Sequence, residues 1–533
     1  MRYTPQYRSP IVLSSVFAAF ALGGTTAYAA DDATPFSLEQ MAKRLQDLEK
    51  KNASLETEVS RLRQDDNETW LSEARANEIR AVVQDTLADA SSRASLQSTG
   101  ATAGWDNGFF LQSGDGRFRL EIGGLIQVRY VYSNFREPSP AVGISGINAL
   151  WSDGRDTRKG FDLPGTELWF KGHVFGSGLT YKILGRFENN NSTQLAVNNV
   201  RPIEVGSGGF SLWDAWVRVE LTPNLFVRTG QFKLPFGREQ LIDRQNQMAV
   251  ERSIVSQSLD VGYSQGVELA YVDELMRAQF AMSDGGEDQV AGQLKTAGTL
   301  PRNRPFSWGQ VEWAGTGRFE FKPYGEWKDF DAFTSVPGSD FGLMFGIGAH
   351  WQSWRPDYAY QPIGVNQGDN QWLNMTVDAS ANFGGASLFG SFTWSYADSE
   401  AAYYYAGQNN FNLPVFGDMG SSNKWGAVVQ GAFYVAPKFE IFGRYEVGQF
   451  SVSNPNTLPI AGGAGSLYAN ENHLSVATVG ANWYIDGQDV KLSCDVGYAF
   501  RSFDPSWFQG NDGWRVSGSS DQLVARAQFQ LGF

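Results

Sequence analysis

One cysteine, Cys494, occurs in 533 residues, which excludes an intrachain disulfide framework and leaves cysteine-based zinc sites without ligands. Histidine is nearly as scarce, and His173, His350 and His473 stand far apart without motif neighbours. Neither a Ser–His–carboxylate relay nor a metal cluster can be assembled around them. Walker loops, dinucleotide fingerprints and HExxH are also missing. The chain is therefore not expected to be an enzyme or to hold a cofactor or metal. No run of 18 apolar residues occurs, which excludes a membrane-spanning helix. Positive charge is in deficit, with 43 Lys and Arg against 57 Asp and Glu, so nucleic acid is not an expected partner.

What the chain does contain is glycine, 59 residues, and aromatics at 14%, with only 19% charged residues. That balance suits many strands separated by turns. A mean hydropathy of -0.32 argues against a helical membrane protein. It leaves a membrane barrel open, because alternating lipid-facing and lumen-facing residues average to near neutrality.

The chain reads as four segments. Residues 1–29 look like a secretory signal peptide: Arg2 and Arg8 precede the apolar run 11–22, and Ala27-Tyr28-Ala29 is a small-x-small cleavage site. Residues 37–64 follow heptads, with Leu38, Leu45, Asn52 and Val59 at one position and Met41, Leu48, Leu55 and Leu62 three residues later. This predicts an α-helical coiled coil that assembles with copies of itself, Asn52 fixing its register; a helix packed on its own domain is the alternative. Residues 70–104 hold a second helical stretch and a Ser/Thr/Gly/Ala linker, and residues 105–533 form an all-β domain.

In that domain the hydrophobic period is two. Leu120, Ile122, Ile126, Val128 and Tyr130 share one face, and Arg119, Glu121, Gln127 and Arg129 the other. Charges keep to one parity in 179–188, 213–221, 438–446 and 490–500 as well. Short links at 176–178, 222–224, 273–274, 383–385, 436–437 and 486–488 alternate with long polar ones. Short periplasmic turns and long outer loops mark an up-and-down barrel of the bacterial outer membrane. Parity to the chain end holds if 322–340 is a longer periplasmic link, which gives about sixteen antiparallel strands, enough for an aqueous channel. Lipid-phase aromatics gather at two rims, Phe383, Phe433, Trp483 and Phe533 at one, Tyr132, Phe187, Tyr396, Tyr445 and Phe500 at the other.

Two resemblances sharpen this reading. The last thirteen residues alternate and end on Phe533 in phase with the apolar face, which resembles the closing strand of bacterial outer-membrane barrels. Residues 230–239 (GQFKLPFGRE), together with Gly108-Phe109-Phe110-Leu111 followed by Phe118-Arg119-Leu120, Phe170 to Phe175, and Val479 to Tyr484 followed by Lys491-Leu492 and Gly497 to Phe500, resemble the phosphate-selective porin O and P family across 105–533. That resemblance implies a trimeric sixteen-strand porin in which arginines and lysines guide anions. The third long connector, 234–263, is expected to fold inward as the pore constriction. Lys233, Arg238, Arg244 and Arg252 would face Glu239, Asp243 and Glu251 there; a surface loop is the alternative. Arg119, Arg129, Lys171, Lys182, Arg186, Arg218, Arg228 and Arg277 share the lumen phase with nearly as many acids, so they read either as a basic ladder or as salt-bridged wall charges. The functional expectation is passive diffusion of small hydrophilic solutes, favouring anions such as phosphate, by a homotrimer in outer-membrane lipid. Alternatives are a sugar-type or general diffusion porin, with Trp169, Trp216, Phe226 and Phe232 as an aromatic track, or a tether whose periplasmic coil binds peptidoglycan.

Overall fold

The computed structural model describes residues 38–66, 100–105, 108–134, 157–191, 206–286, 311–354, 370–399, 402–408, 411–417, 420–453, 471–501, 507, 512–514 and 521–533. The signal peptide, the second helical stretch and the greater part of several other long connectors lie outside these residues. The chain divides into two units at Ala94 and Ser95. In the first, α1 (Leu38–Asp66) is a 29-residue helix over the heptad segment. Leu48 and Leu55, both seam positions, are exposed on it.

The second unit is a closed antiparallel ring. A short hairpin, β1 (Thr102–Trp105) and β2 (Phe109–Gln112), precedes it. The ring opens with β3 (Arg119–Asn134). Its second strand is divided into β4 (Thr157–Asp162) and β5 (Thr166–His173), both paired to β3. The break falls at Leu163-Pro164-Gly165, where proline removes a ladder donor. Then follow β6 (Leu179–Asn191), β7 (Gly206–Thr222), β8 (Leu225–Lys233), β9 (Tyr263–Val272), β10 (Met276–Ser283), β11 (Val311–Tyr324), β12 (Gly342–Trp354), β13 (Asn370–Asn382) and β14 (Ala386–Ser399). A separate hairpin, β15 (Ala402–Gln408) and β16 (Phe411–Gly417), occupies a connector read from the sequence only as polar. The ring resumes with β17 (Gly420–Ala436), β18 (Phe439–Val452), β19 (Glu471–Asp486), β20 (Val490–Ala499) and β21 (Gln522–Gly532). β21 pairs with β3 from Leu523–Asn134 to Gly532–Leu125, closing a barrel of sixteen strands once β4 and β5 are taken as one.

Side-chain parity gives the barrel its two faces. On β13, Trp372, Asn374, Thr376 and Asp378 are buried inside, whereas Met375 and Val377 are exposed outside. The exposed outer face is apolar on strand after strand, with Ile347, Phe392, Val429 and Val479 among its residues. A continuous apolar outer face on a closed barrel suits hydrocarbon. Exposed aromatics border it at both ends: Phe383, Phe433, Trp483 and Phe533 at the turn end, Phe187, Tyr445 and Phe500 at the other. The terminal residue is part of the seam. Phe533 exchanges both backbone hydrogen bonds with Gly124, at 2.8 and 3.0 Å. Its ring lies where a Gly124 side chain would stand, 2.4 Å from an ideal Cβ. β2 then continues the line of β21 along β3, with Phe109 opposite Ile122.

The long turn-end link between Tyr324 and Gly342 curls inward. A short 3-10 turn, Trp327–Phe330, carries Phe330 inside, and Phe333 follows it; both are buried.

Candidate functional site: the inward third connector

Between β8 and β9 the chain enters the lumen. Leu234 donates its N–H to Gly262 O at 2.9 Å, which closes the neck of the connector. Gly237 lies so close to Asp260 that an added Cβ would stand 2.1 Å from Oδ2. Two short helices follow, α2 (Arg238–Leu241) and α3 (Ile254–Leu259). Ser253 caps α3, accepting from Ser256 N at 3.0 Å, and donates in turn to Glu239 Oε2 at 2.5 Å.

One side of this connector is pressed against the wall. Leu234, Phe236, Ile254, Val255 and Leu259 form a dry cluster with the inward-facing Trp372, Val428, Phe450 and Val476. The connector has few ladder partners of its own, so wall side chains satisfy its backbone, as buried peptide groups require. Arg318 donates to Phe236 O (2.7 Å), Lys491 to Gln245 O (2.7 Å) and Gln247 O (2.9 Å), and Asn482 to Met248 O (2.9 Å). Arg444 donates to Glu251 O (2.9 Å) and Asn374 to Leu259 O (2.9 Å), while Asp495 accepts from Val250 N (3.1 Å). Asn374, Asn482 and Ser380 anchor the connector without having stood out in the sequence. Lumen parity was their only signal, and it does not separate a wetted wall residue from an anchor.

The turn-end link clasps the same connector from below. Arg238 donates to Phe330 O at 2.5 Å and to Ser380 Oγ at 2.8 Å, and Phe333 N donates to Asn246 O at 3.4 Å. Ile242, Met248 and Ala249 of the connector pack with Phe333, Phe389, Ala432 and Phe442 in a second cluster.

The seven charged residues expected at the constriction therefore separate into two groups. Arg238 and Glu239 are buried and hold the connector together. Lys233, Asp243, Arg244, Glu251 and Arg252 lie along its other edge, toward β3–β7. Lys233 reaches Asp243 at 2.9 Å; Arg244 is 3.8 Å from both Glu167 and Glu251; Glu251 meets Arg129 at 2.5 Å. Arg252 donates to Glu239 O at 3.2 Å and Ile242 O at 2.9 Å. Burial pushes the Glu251 carboxyl up, but Arg129 and Arg244 overcome this and hold it at about 2. Desolvation likewise acts upward on Asp243 and is outweighed by Lys233 and Lys182, which leave it well below the usual carboxylate range. Burial lowers Arg244 to about 10, and the nearby positive charge of Arg186 adds to the effect.

The eight lumen-phase bases each have a carboxylate partner. Arg119 and Lys171 share Glu121 (2.8 and 3.3 Å), Arg129 takes Asp162 (2.6 Å), Lys182 Asp214 (3.0 Å) and Arg186 Glu167 (2.6 Å). Arg218 pairs with Glu220 (3.2 Å), Arg228 with Glu268 (2.6 Å) and Arg277 with Glu320 (3.1 Å). Of the two sequence readings, salt-bridged wall charges describe these contacts. Exposure still differs among them: the Lys171 and Arg218 side chains remain 51% and 35% accessible, against 8% for Arg186 and 2% for Arg129.

A sixteen-strand ring, apolar outside and polar inside, with short turns at one end and a connector folded into its lumen, defines an outer-membrane porin. Residues 148–301 match the model of the phosphate-selective porin O and P family. The match includes the GQFKLPFGRE stretch and Phe170 to Phe175, two of the motifs that carried the resemblance. No curated protein matches the chain. Among solved structures, it is similar to the anion-selective porin from Comamonas acidovorans, with 11% identity over 78% of this chain and 99% of that one, at a TM-score of 0.45. It is also similar to the outer-membrane OmpT of Vibrio cholerae, with 8% identity over 78% and 98% at a TM-score of 0.44. A third is the outer membrane channel DcaP of Acinetobacter baumannii, with 10% identity over 77% and 97% at 0.40.

Proposed function

We propose that this porin is a homotrimeric channel for passive diffusion that favours small anions, phosphate among them, and selects them at the free edge of the third connector. The observation that carries this reading is a charge inventory. Lys182, Arg186, Lys233, Arg244 and Arg252 converge on four carboxylates, Glu167, Asp214, Asp243 and Glu251. A solute passing that edge meets one more positive charge than negative, inside walls of low dielectric where the difference is felt over several ångströms. The coil of α1, with its exposed Leu48 and Leu55, supports assembly with further copies of the chain in the periplasm, and peptidoglycan is the partner proposed for it.

The test is the chloride-over-potassium permeability ratio in planar bilayers. Replacing Arg244 and Arg252 together by Gln should lower it by roughly fivefold, the equivalent of about 1 kcal/mol of lost charge interaction. An unchanged ratio would remove the connector edge as the selecting element.

A further inference from the structure

The inner wall across β5–β8 sets like charges against each other. Lys171 stands directly opposite Lys182, and two strands on, Arg218 stands directly opposite Arg228. Same-sign neighbours on one face weaken a sheet. Asp214 and Glu268 offset this at Lys182 and Arg228, both carboxylates being buried. At Lys171 and Arg218 the compensation is loose. Lys171 is half exposed, and Arg218 pairs with a Glu220 that is itself 41% accessible. A solvent-facing pair of that kind contributes little net stability, so a carboxylate arriving from solution can replace the resident one.

Aromatic rings lie among these cations. Arg218 Cζ is 4.0 Å from the centroid of the Phe226 ring, and Arg228 Cζ lies 4.4 Å from Phe232 and 5.6 Å from Trp216. Trp216 stands directly opposite Lys182, and Phe226 opposite Glu220. Trp216 and Phe226 are half-buried, whereas Phe232 is fully covered. A track for neutral sugars needs a run of bare ring faces. Here the Arg218 guanidinium lies over Phe226 and Phe232 is sealed, so Trp216, Phe226 and Phe232 form no run of bare faces. The wall offers cationic N–H donors and flat π surfaces within a side chain's length of each other.

We propose that this strip of Lys171, Lys182, Trp216, Arg218, Phe226 and Arg228 is a binding station for planar aromatic carboxylates. The solute's carboxylate takes the place of Glu220 on Arg218 or of Glu121 on Lys171. Its ring stacks on Trp216 or on a guanidinium held over an aromatic face. The inference rests on the reading that the channel admits anions, and adds the shape of the anion it retains.

The experiment compares benzoate with cyclohexanecarboxylate, which has the same charge and nearly the same size but no π face. Each is added to one side of a bilayer holding single native channels, and the dwell time of chloride-current blockades is recorded. Benzoate should dwell about threefold to tenfold longer, as one aromatic stacking contact implies. Trp216→Leu with Phe226→Leu should abolish the difference, and Trp216→Phe, which keeps a flat ring, should retain most of it. Equal dwell times in the native channel would overturn the proposal, as would a difference that survives the double leucine variant. The chloride-over-potassium ratio in the same bilayers judges the anion reading separately: a ratio above one with equal dwell times leaves that reading intact and removes only the aromatic station.

Discussion

The inner faces of β11–β13 and of β5–β8 are made of the same residue classes, yet one is sealed and the other is wetted. On β11–β13, Thr316, Arg318, Glu320, His350, Gln352, Asn374, Thr376 and Asp378 are all buried. On β5–β8, Lys171, Arg218 and Glu220 keep a third or more of their side chains accessible. The cause of the difference is what faces each wall. The third connector lies on the first, its backbone carbonyls taking up wall donors, and turns only its charged edge toward the second. Arg318 shows the consequence. It holds Asp378 through two nitrogens at 2.8 and 3.0 Å, Glu320 at 2.9 Å and Phe236 O at 2.7 Å, so nothing of it is left for a passing solute. Arg218, with a solvent-facing partner, keeps that capacity.

The largest test of the contrast is to remove the same charge from both walls. Arg318→Met strands Asp378 in a buried site and leaves Glu320 with Arg277 alone, which should cost about 3–5 kcal/mol. Arg218→Met breaks an exposed pair and should cost about 0–1 kcal/mol. Unfolding of the detergent-solubilised barrel in urea measures both. Comparable losses would mean that the two walls are not energetically distinct.

A smaller effect comes from acid. Glu251 ties the connector edge to Arg129, and its carboxyl is held at about 2 against an ordinary value of 4.5. A carboxylate depressed in the folded state stabilises it fully above the unfolded pKa, and that stability is lost as pH falls through the folded one. The clamp, on the order of 3 kcal/mol, should therefore persist at pH 5 and above and fade between about pH 4 and pH 2. Current noise of the open channel should rise over that window. Glu251→Gln should produce the same noise at neutral pH. A channel that becomes noisy already near pH 6 would assign the clamp to another group.

Much of the barrel could be read from the chain because lipid outside and water inside impose a period of two on every strand. The parity of Arg119, Glu121, Gln127 and Arg129, the alternation of short and long links and the closing phase of Phe533 all follow from that one constraint. Even the odd long link near 322–340 was required by parity, and it spans Tyr324 to Gly342 in the fold. Partner choice inside the lumen was not readable. Arg186 meets a carboxylate 19 residues away and Arg129 one 122 residues away, distances fixed by register and by the path of the connector. Parity alone also could not separate Arg238, an anchor, from Arg244, an edge residue, although both lie on the same connector. The split at Pro164-Gly165 did leave a sequence signal, since a proline beside a glycine interrupts a strand ladder.

The position of the connector is itself set by small residues on the strands it lies against, Gly348 on β12 and Gly426 on β17. Gly426 faces α3, and an added Cβ there would stand 2.6 Å from Val255 Cγ1; at Gly348 it would stand 2.9 Å from Phe236 O. Both glycines let the connector approach the wall backbone. Gly426→Val fills that space, and overpacking of this kind costs about 1–3 kcal/mol when neighbours must move. The ring is hydrogen-bonded on both sides of β17, so the wall cannot yield, and α3 must shift away from it. Any such shift carries the edge with Asp243 and Arg244 toward β5, where Gly165 already lies against Arg244. Single-channel conductance should fall in Gly426→Val, less so in Gly426→Ala. An unchanged conductance with unchanged stability would show that the wall glycines do not set the width of the passage, and would leave that role to the clasp of Arg238 on Phe330.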